Sequence, residues 1–299
     1  MKFAAIDIGS NAVRLLLAKV FENGQETTFK KESLVRIPIR LGDDAFAQQL
    51  VSDQKADKLI NTMIAFKHLM AAYQPLDYLA CATSAMREAK NGDGVVKAIK
   101  EQSGIELSII DGKKEADIIF SNHIAEKLDI THSYLYIDVG GGSTELTFFS
   151  KRDNNKMLSK SFNIGTVRIL NDLVAKESWK EMKQWIKKNS KIFDKVSAIG
   201  SGGNINKIFR LSLKKENKPL SYKNLKEINS FLNSYSFEER IKILGLRPDR
   251  ADVIIPAAGI YLSVMKWGKI KEIFVPQIGL ADGLIHILYE RYKRKELEN

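Results

Sequence analysis

A chain of 299 residues, 44% hydrophobic and with only 6 prolines, is long enough for two domains with sizeable cores and reads as globular throughout. The single cysteine, Cys81, excludes an internal disulfide. The opening MKFAAIDIGS is cut short by Asp7, too early for a signal peptide, and the longest uncharged apolar segment, Val253 to Met265, contains Pro256 and is too short to span a bilayer. A reducing cytoplasm is therefore the expected compartment, with no membrane partner. The formal net charge of +11 is uneven: residues 1–150 carry 17 basic and 20 acidic side chains, and residues 151–299 carry 30 and 16. The basic second half suits a polyanionic partner, a solvated lysine surface being the plainer alternative.

In chain order, AAIDIGSNAVRLLLAKV (Ala4 to Val20) is an apolar strand running into Asp7, a small turn with Gly9, Ser10 and Asn11, and a second strand from Val13. A strand is expected over Leu34 to Leu41 and a helix over about Ser52 to Ala72, capped by Ser52, with Leu59, Met63, Phe66 and Met70 as its core stripe. LDYLACATSAMREAK reads as a strand ending at Thr83 and a helix from Ser84, with Cys81 a small core residue. ELSIIDGKKEADIIFSNHIAEKL repeats that order around a turn at Asp111 and Gly112. Alternating strands and helices predict an α/β fold.

YIDVGGGSTELTFF (Tyr136 to Phe149) repeats the first pattern: a strand into Asp138, then Gly140, Gly141, Gly142, Ser143 and Thr144, then Glu145 and a second strand. Three glycines leave backbone amides able to line an anion, and two carboxylates suit a divalent cation bridging to it; a plain hairpin with a Gly-rich turn is the alternative. Strand, Asp, small turn, strand thus occurs twice, which predicts two similar halves that each offer a loop to one ligand. Further on come SFNIGTVRILNDL, a basic helix over Trp179 to Lys191, and KVSAIGSGGNINKIFRLSL, a strand and helix joined by a turn from Gly200 to Gly203. That turn lacks the third glycine of a dinucleotide fingerprint. The chain contains neither a P-loop nor a G-x-S-x-G elbow, and His68, His123, His132 and His286 have no metal-ligand spacing.

In this order, AAIDIGSNAVRLLLA, ATSAMREA, IIDGKKEADIIF, YIDVGGGSTEL, IGTVR, IGSGGNINKI, RADVIIPAAGIYL and GLADGLIHIL resemble the exopolyphosphatase/guanosine pentaphosphate phosphohydrolase (Ppx/GppA) family over nearly the whole chain. The resemblance implies a duplicated actin/Hsp70/sugar-kinase-like (ribonuclease H-like) fold, two domains around a central cleft, each with a mixed five-stranded sheet. Residues 1–123 would form the first domain and 124–299 the second, with the final helix able to pack back on the first. It implies Mg²⁺- or Mn²⁺-dependent hydrolysis of terminal phosphoanhydride bonds. Glu115 would activate water and Arg87 would contact phosphate. Asp7, Gly9, Ser10 and Asn11 would bind substrate with Gly140 to Thr144 and the turn glycines Gly202 and Gly203, while Asp138 and Glu145 would serve metal and water. Two positions beside Glu115 depart from the family pattern, Lys114 where a carboxylate is common and Asp117 where an Arg is; Ala12 replaces a common hydroxyl residue. Larger relatives append a C-terminal helical module that this sequence lacks, which favours short polyphosphates.

The expected partner is inorganic polyphosphate or guanosine pentaphosphate, with no specific nucleic acid, and a homodimer is compatible with the sequence. Three readings stay open beside an exopolyphosphatase. These are a guanosine pentaphosphate phosphohydrolase, an actin-fold kinase with an adenosine pocket near Gly200 to Gly203, and a polyphosphate or alarmone sensor without turnover.

Overall fold

The computed structural model describes residues 1–24, 26–120, 131–150, 156–193, 195–215 and 218–298. The chain divides into two compact units, Met1–Asn122 with Leu280–Asn299, and His123–Gly279. The boundary expected at 123/124, like His123, lies outside the described residues.

The first unit opens with β1 (Lys2–Ile8), β2 (Ala12–Asn23) and β3 (Glu26–Pro38), followed by α1 (Leu41–Gln48), α2 (Asp53–Tyr73), β4 (Asp77–Ala82), α3 (Ser84–Glu88), α4 (Gly92–Ser103), β5 (Ser108–Ile109) and α5 (Gly112–Phe120). Its sheet has the order β3-β2-β1-β4-β5, antiparallel across the first two junctions and parallel across the last two. The apolar stripe of α2 is buried at Leu59, Met63, Phe66 and Met70; each such side chain contributes about 1.5–3 kcal/mol by leaving water. Ser52 takes the extended N-cap backbone of α2, but its hydroxyl donates to Asp44 Oδ2 at 2.5 Å and makes no cap bond.

The strand expected from Leu34 begins eight residues earlier and stops before Leu41, which opens α1. Residues 26–33 are mostly polar and exposed on an edge strand, so no apolar alternation marks them. Their place is set by the ladder to β2, which runs from Asn23 opposite Glu26 to Ala12 opposite Pro38.

The second unit contains β6 (Ser133–Val139), β7 (Thr144–Ser150), β8 (Lys156–Phe162), α6 (Thr166–Leu170), α7 (Lys176–Asn189), β9 (Val196–Ser201) and α8 (Gly203–Leu211). It continues with β10 (Leu220–Ser221), α9 (Tyr222–Asn233), α10 (Phe237–Lys242), α11 (Pro248–Ala251), α12 (Ile254–Gly268) and β11 (Glu272–Phe274). Its sheet runs β10-β11-β9-β6-β7-β8. The five strands β8-β7-β6-β9-β11 repeat the first unit's sense of pairing, antiparallel twice and then parallel twice. The expected five-stranded sheet thus gains a sixth, two-residue strand, β10, antiparallel to β11. The core joins Leu135, Ile137, Leu146 and Phe148 of the sheet to Met182 and Ile186 of α7 and Tyr261 of α12.

The last helix, α13 (Leu280–Glu298), packs on β1, β2, β4 and α5 and so belongs to the first unit. No helix among the described residues is long and apolar enough to cross a membrane.

Candidate functional site

The hairpin that opens each unit's sheet is closed in the same way. Asp7 and Asp138 are each the penultimate residue of a seven-residue strand. Two residues on, an amide donates across the turn: Gly9 N to Ala12 O at 3.2 Å, and Gly140 N to Ser143 O at 2.9 Å. The repeat legible in the sequence is therefore a repeat of hydrogen bonds.

Register carries the repeat sideways into one row of cross-strand partners per unit, whose side chains share a sheet face. In the second unit the row is Ser201 (β9), Asp138 (β6), Glu145 (β7) and Ser161 (β8). In the first it is Cys81 (β4), Asp7 (β1), Arg14 (β2) and Arg36 (β3). The position that holds Glu145 in one unit holds Arg14 in the other. Arg14 Nη1 lies 2.5 Å from Asp7 Oδ2, so the first acid is neutralised within its own sheet. In the second row the two acids stand side by side, with carboxylate oxygens within 4.8 Å of each other. One row is basic overall and the other acidic.

The Gly-rich loop is held from behind by α6. Thr166 N donates to Gly140 O at 3.0 Å, Val167 N to Gly141 O at 2.8 Å, and Arg168 Nε to Gly142 O at 2.7 Å. In a trans peptide the carbonyl and the next amide point in opposite directions, and there are no cis bonds among the described residues. The amides of Gly141, Gly142 and Ser143 are thereby aimed away from α6, a cradle for negative charge. Thr144, expected among the substrate contacts, is fully buried and its hydroxyl donates to Ile164 O at 2.5 Å; it secures the loop from inside. Gly202 precedes α8 with φ +96°, and a Cβ there would sit 3.0 Å from Asp138 Oδ1. Both the backbone conformation and the closeness to the acid require glycine. Gly203 begins α8, and its carbonyl accepts from Arg250 Nη1 at 2.8 Å.

In the first unit the buried hydroxyls of Ser10 and Ser84 lie 2.8 Å apart, tying the first loop to α3. Gly42 N donates to Ser10 O at 2.8 Å and Arg40 N to Asn11 O at 3.0 Å, which docks the same loop on α1. Arg87, on α3, donates through Nη1 to Ile110 O at 2.7 Å, one residue before Asp111. The Asp111 carboxylate caps α5 by accepting from Lys114 N at 2.7 Å, and its carbonyl accepts from Glu115 N. Glu115 is buried at 8% exposure, whereas Lys114 points to solvent. A continuous set of bonds thus runs from Ser10 through Ser84 and Arg87 to the helix that carries Glu115.

Sequence reasoning missed Arg14, Ser161, Gly165, Arg168 and Ser201. Arg14 and Arg168 lay inside quoted motifs, AVRL and GTVR, and a basic residue beside a small-residue turn was the available signal. Among the histidines, His286 stacks on Phe29 with ring centroids 3.7 Å apart and His68 is exposed.

Cys81, in the first row, has its thiol pushed up to about 11 by burial, then by the negative charges of Asp7 and Glu115. At pH 8 it should hold about 100-fold less thiolate than a free thiol near the ordinary value. An aromatic disulfide reagent is expected to label Cys81 in the urea-unfolded chain at least that much faster than in the folded one. Equal rates would mean that the end of β4 is open to solvent.

A family model described as the Ppx/GppA phosphatase family matches residues 29–291. A bifunctional 3-dehydroquinate synthase/phosphatase of Fusobacterium nucleatum subsp. nucleatum is 30% identical over 287 residues, covering 88% of this chain and 43% of that protein; the chain thus spans less than half the length of this relative. Exopolyphosphatase 1 of Mycobacterium leprae is 23% identical, covering 95% of this chain and 88% of the relative. The crystal structure of an exopolyphosphatase from Cytophaga hutchinsonii superposes with a TM-score of 0.82 at 21% identity, covering 97% of this chain and 98% of that one. At that similarity the two chains share the fold, the actin/Hsp70/sugar-kinase-like α/β fold.

Proposed function

The chain belongs to the Ppx/GppA phosphatase family, and on that premise we propose that it is a phosphoanhydride hydrolase that releases orthophosphate from the end of inorganic polyphosphate. The observation that carries the reading is the row Ser201–Asp138–Glu145–Ser161 beside a glycine loop whose amides are turned outward by α6. Phosphoryl transfer asks little covalent chemistry of a protein. It needs a placed water and neutralisation of charge spread over the transferred phosphoryl oxygens.

In this reading the amides of Gly141, Gly142 and Ser143, with Gly140, hold the terminal phosphate; in the first unit the loop Gly9 to Asn11 is the candidate for phosphate contact, and Arg14 offsets the charge of Asp7 beside it. Glu115 takes the proton of the attacking water, and Arg87 holds both the phosphate and the start of α5. Asp138 and Glu145 would hold a divalent cation, Mg²⁺ or Mn²⁺. Their carboxylate oxygens, within 4.8 Å of each other, are hard donors of the kind that Mg²⁺ and Mn²⁺ prefer. When bound, the cation supplies neutralisation of the phosphate charge and polarisation of the bond that breaks. Turnover is therefore expected to vanish in excess chelator and to return with added Mg²⁺ or Mn²⁺; full activity in chelator would remove the role given to the two acids.

The deciding assay measures phosphate release from polyphosphate, guanosine pentaphosphate and ATP side by side with Mg²⁺. Release from polyphosphate at the highest rate is the expected result. Release from guanosine pentaphosphate alone would move the assignment to the family's other substrate, and binding without release from any of them would make the chain a sensor.

A further inference from the structure

We propose that Ser161 and Ser201 are positioning residues that set how tightly Asp138 and Glu145 hold a divalent cation, an inference that rests on the cation reading above. The two acids occupy the middle of a four-strand row and the two serines occupy its ends. Each hydroxyl donates inward: Ser201 Oγ to Asp138 Oδ1 at 2.6 Å, and Ser161 Oγ to Glu145 Oε1 at 2.8 Å. An ionised carboxylate only accepts, so the direction of both bonds is fixed by chemistry.

Two like charges this close repel, and without a second attachment each side chain relieves the repulsion by rotating away from the other. A hydroxyl anchored on the outer neighbouring strand opposes that rotation. Ser201 is itself well placed for the task. It is fully buried, and its carbonyl accepts from the hydroxyl of Tyr261 at 2.7 Å on the buried face of α12.

The first unit supplies an internal comparison. Its corresponding row, Cys81–Asp7–Arg14–Arg36, pairs the acid with a guanidinium 2.5 Å away, and its ends are a thiol and a second guanidinium. There the acid needs no restraint against a like charge and has no flanking hydroxyl in the row. Hydroxyls flank the row in the unit where two carboxylates adjoin.

The test is calorimetric titration of Mn²⁺ into the metal-free chain without substrate, for the wild type and for Ser161→Ala, Ser201→Ala, Ser161→Thr and Asp138→Asn. Loss of a hydrogen-bond partner behind a metal ligand typically weakens affinity about 10–100-fold, and each alanine variant is expected to raise the Mn²⁺ Kd by that factor. Ser161→Thr, which keeps the hydroxyl, should bind close to wild type. Ser161 is exposed, so its truncation leaves the core intact and the result does not depend on how the buried Ser201→Ala folds. Unchanged Kd in Ser161→Ala, with binding lost in Asp138→Asn, would overturn this proposal and leave the cation reading standing. No Mn²⁺ binding by the wild-type chain would overturn both.

Discussion

Replacing Glu115 by glutamine is expected to lower kcat for polyphosphate hydrolysis by about 10²–10⁴-fold, the usual cost of losing a general base. The substitution keeps the shape and polarity of a side chain that is only 8% exposed while removing its ability to accept a proton. Its helix should be little changed: the start of α5 is fixed by Asp111, which accepts from the amides of Lys114 and Glu115, and by Arg87 on the carbonyl of Ile110. Those bonds involve the backbone of residue 115 and not its carboxylate. The glycine loop is also untouched, so polyphosphate affinity measured directly, for instance by displacement of a fluorescent polyanion, should stay near that of the wild type. This division between turnover and binding is what separates a base from a binding residue. Normal turnover by the variant would dismiss Glu115 as the base and leave Glu145 as the next carboxylate to test. Loss of binding together with turnover would place Glu115 among the groups that hold substrate.

The parts of the molecule legible in the sequence are those in which chemistry and local geometry coincide. Asp7 and Asp138 each end an apolar run before a turn of small residues, and that local pattern sufficed to find both hairpins and the duplication. The α2 stripe at Leu59, Met63, Phe66 and Met70 was readable for the same reason, since 3.6-residue periodicity is a property of one segment. The flanking serines were not readable, because what makes Ser161 and Ser201 matter is register: Ser161 lies opposite Glu145 and Ser201 opposite Asp138, across strands 16 and 63 positions away. No local pattern distinguishes them from any other serine in a strand. The polar half of β3 escaped for a related reason, since its ladder to β2 is a backbone property that side-chain alternation does not report. At Thr144 a hydroxyl in a phosphate-like loop invites a ligand role from sequence, while the structure shows the buried hydroxyl donating to the carbonyl of Ile164, a partner that no local pattern announces.

Gly165→Ala is expected to damage the same loop from the other side, and by a route that composition does not suggest. A Cβ at residue 165 would meet Gly141 O at 2.3 Å and the carbonyl carbons of Gly141 and Gly142 at 2.4 Å. All three are backbone atoms, so no side chain can swing aside to admit the methyl group. Relief requires α6 and the loop to separate, and the bonds that would stretch are those from Thr166 N, Val167 N and Arg168 Nε to the carbonyls of Gly140, Gly141 and Gly142. Overpacking of this kind costs about 1–3 kcal/mol. Because those carbonyls set the direction of the loop amides, the amides should lose their aim as well. Chemical denaturation is therefore expected to show a destabilised second unit, and phosphate release should fall even at temperatures where the variant is fully folded. Gly259→Ala is the matched control. Gly259 lies inside α12 with nothing within 4 Å of an added Cβ, so the same change there should be neutral or stabilising by up to about 1 kcal/mol. If Gly165→Ala matched Gly259→Ala in both stability and turnover, the close approach of α6 to the loop would not hold the amides in place, and the cradle would need another support.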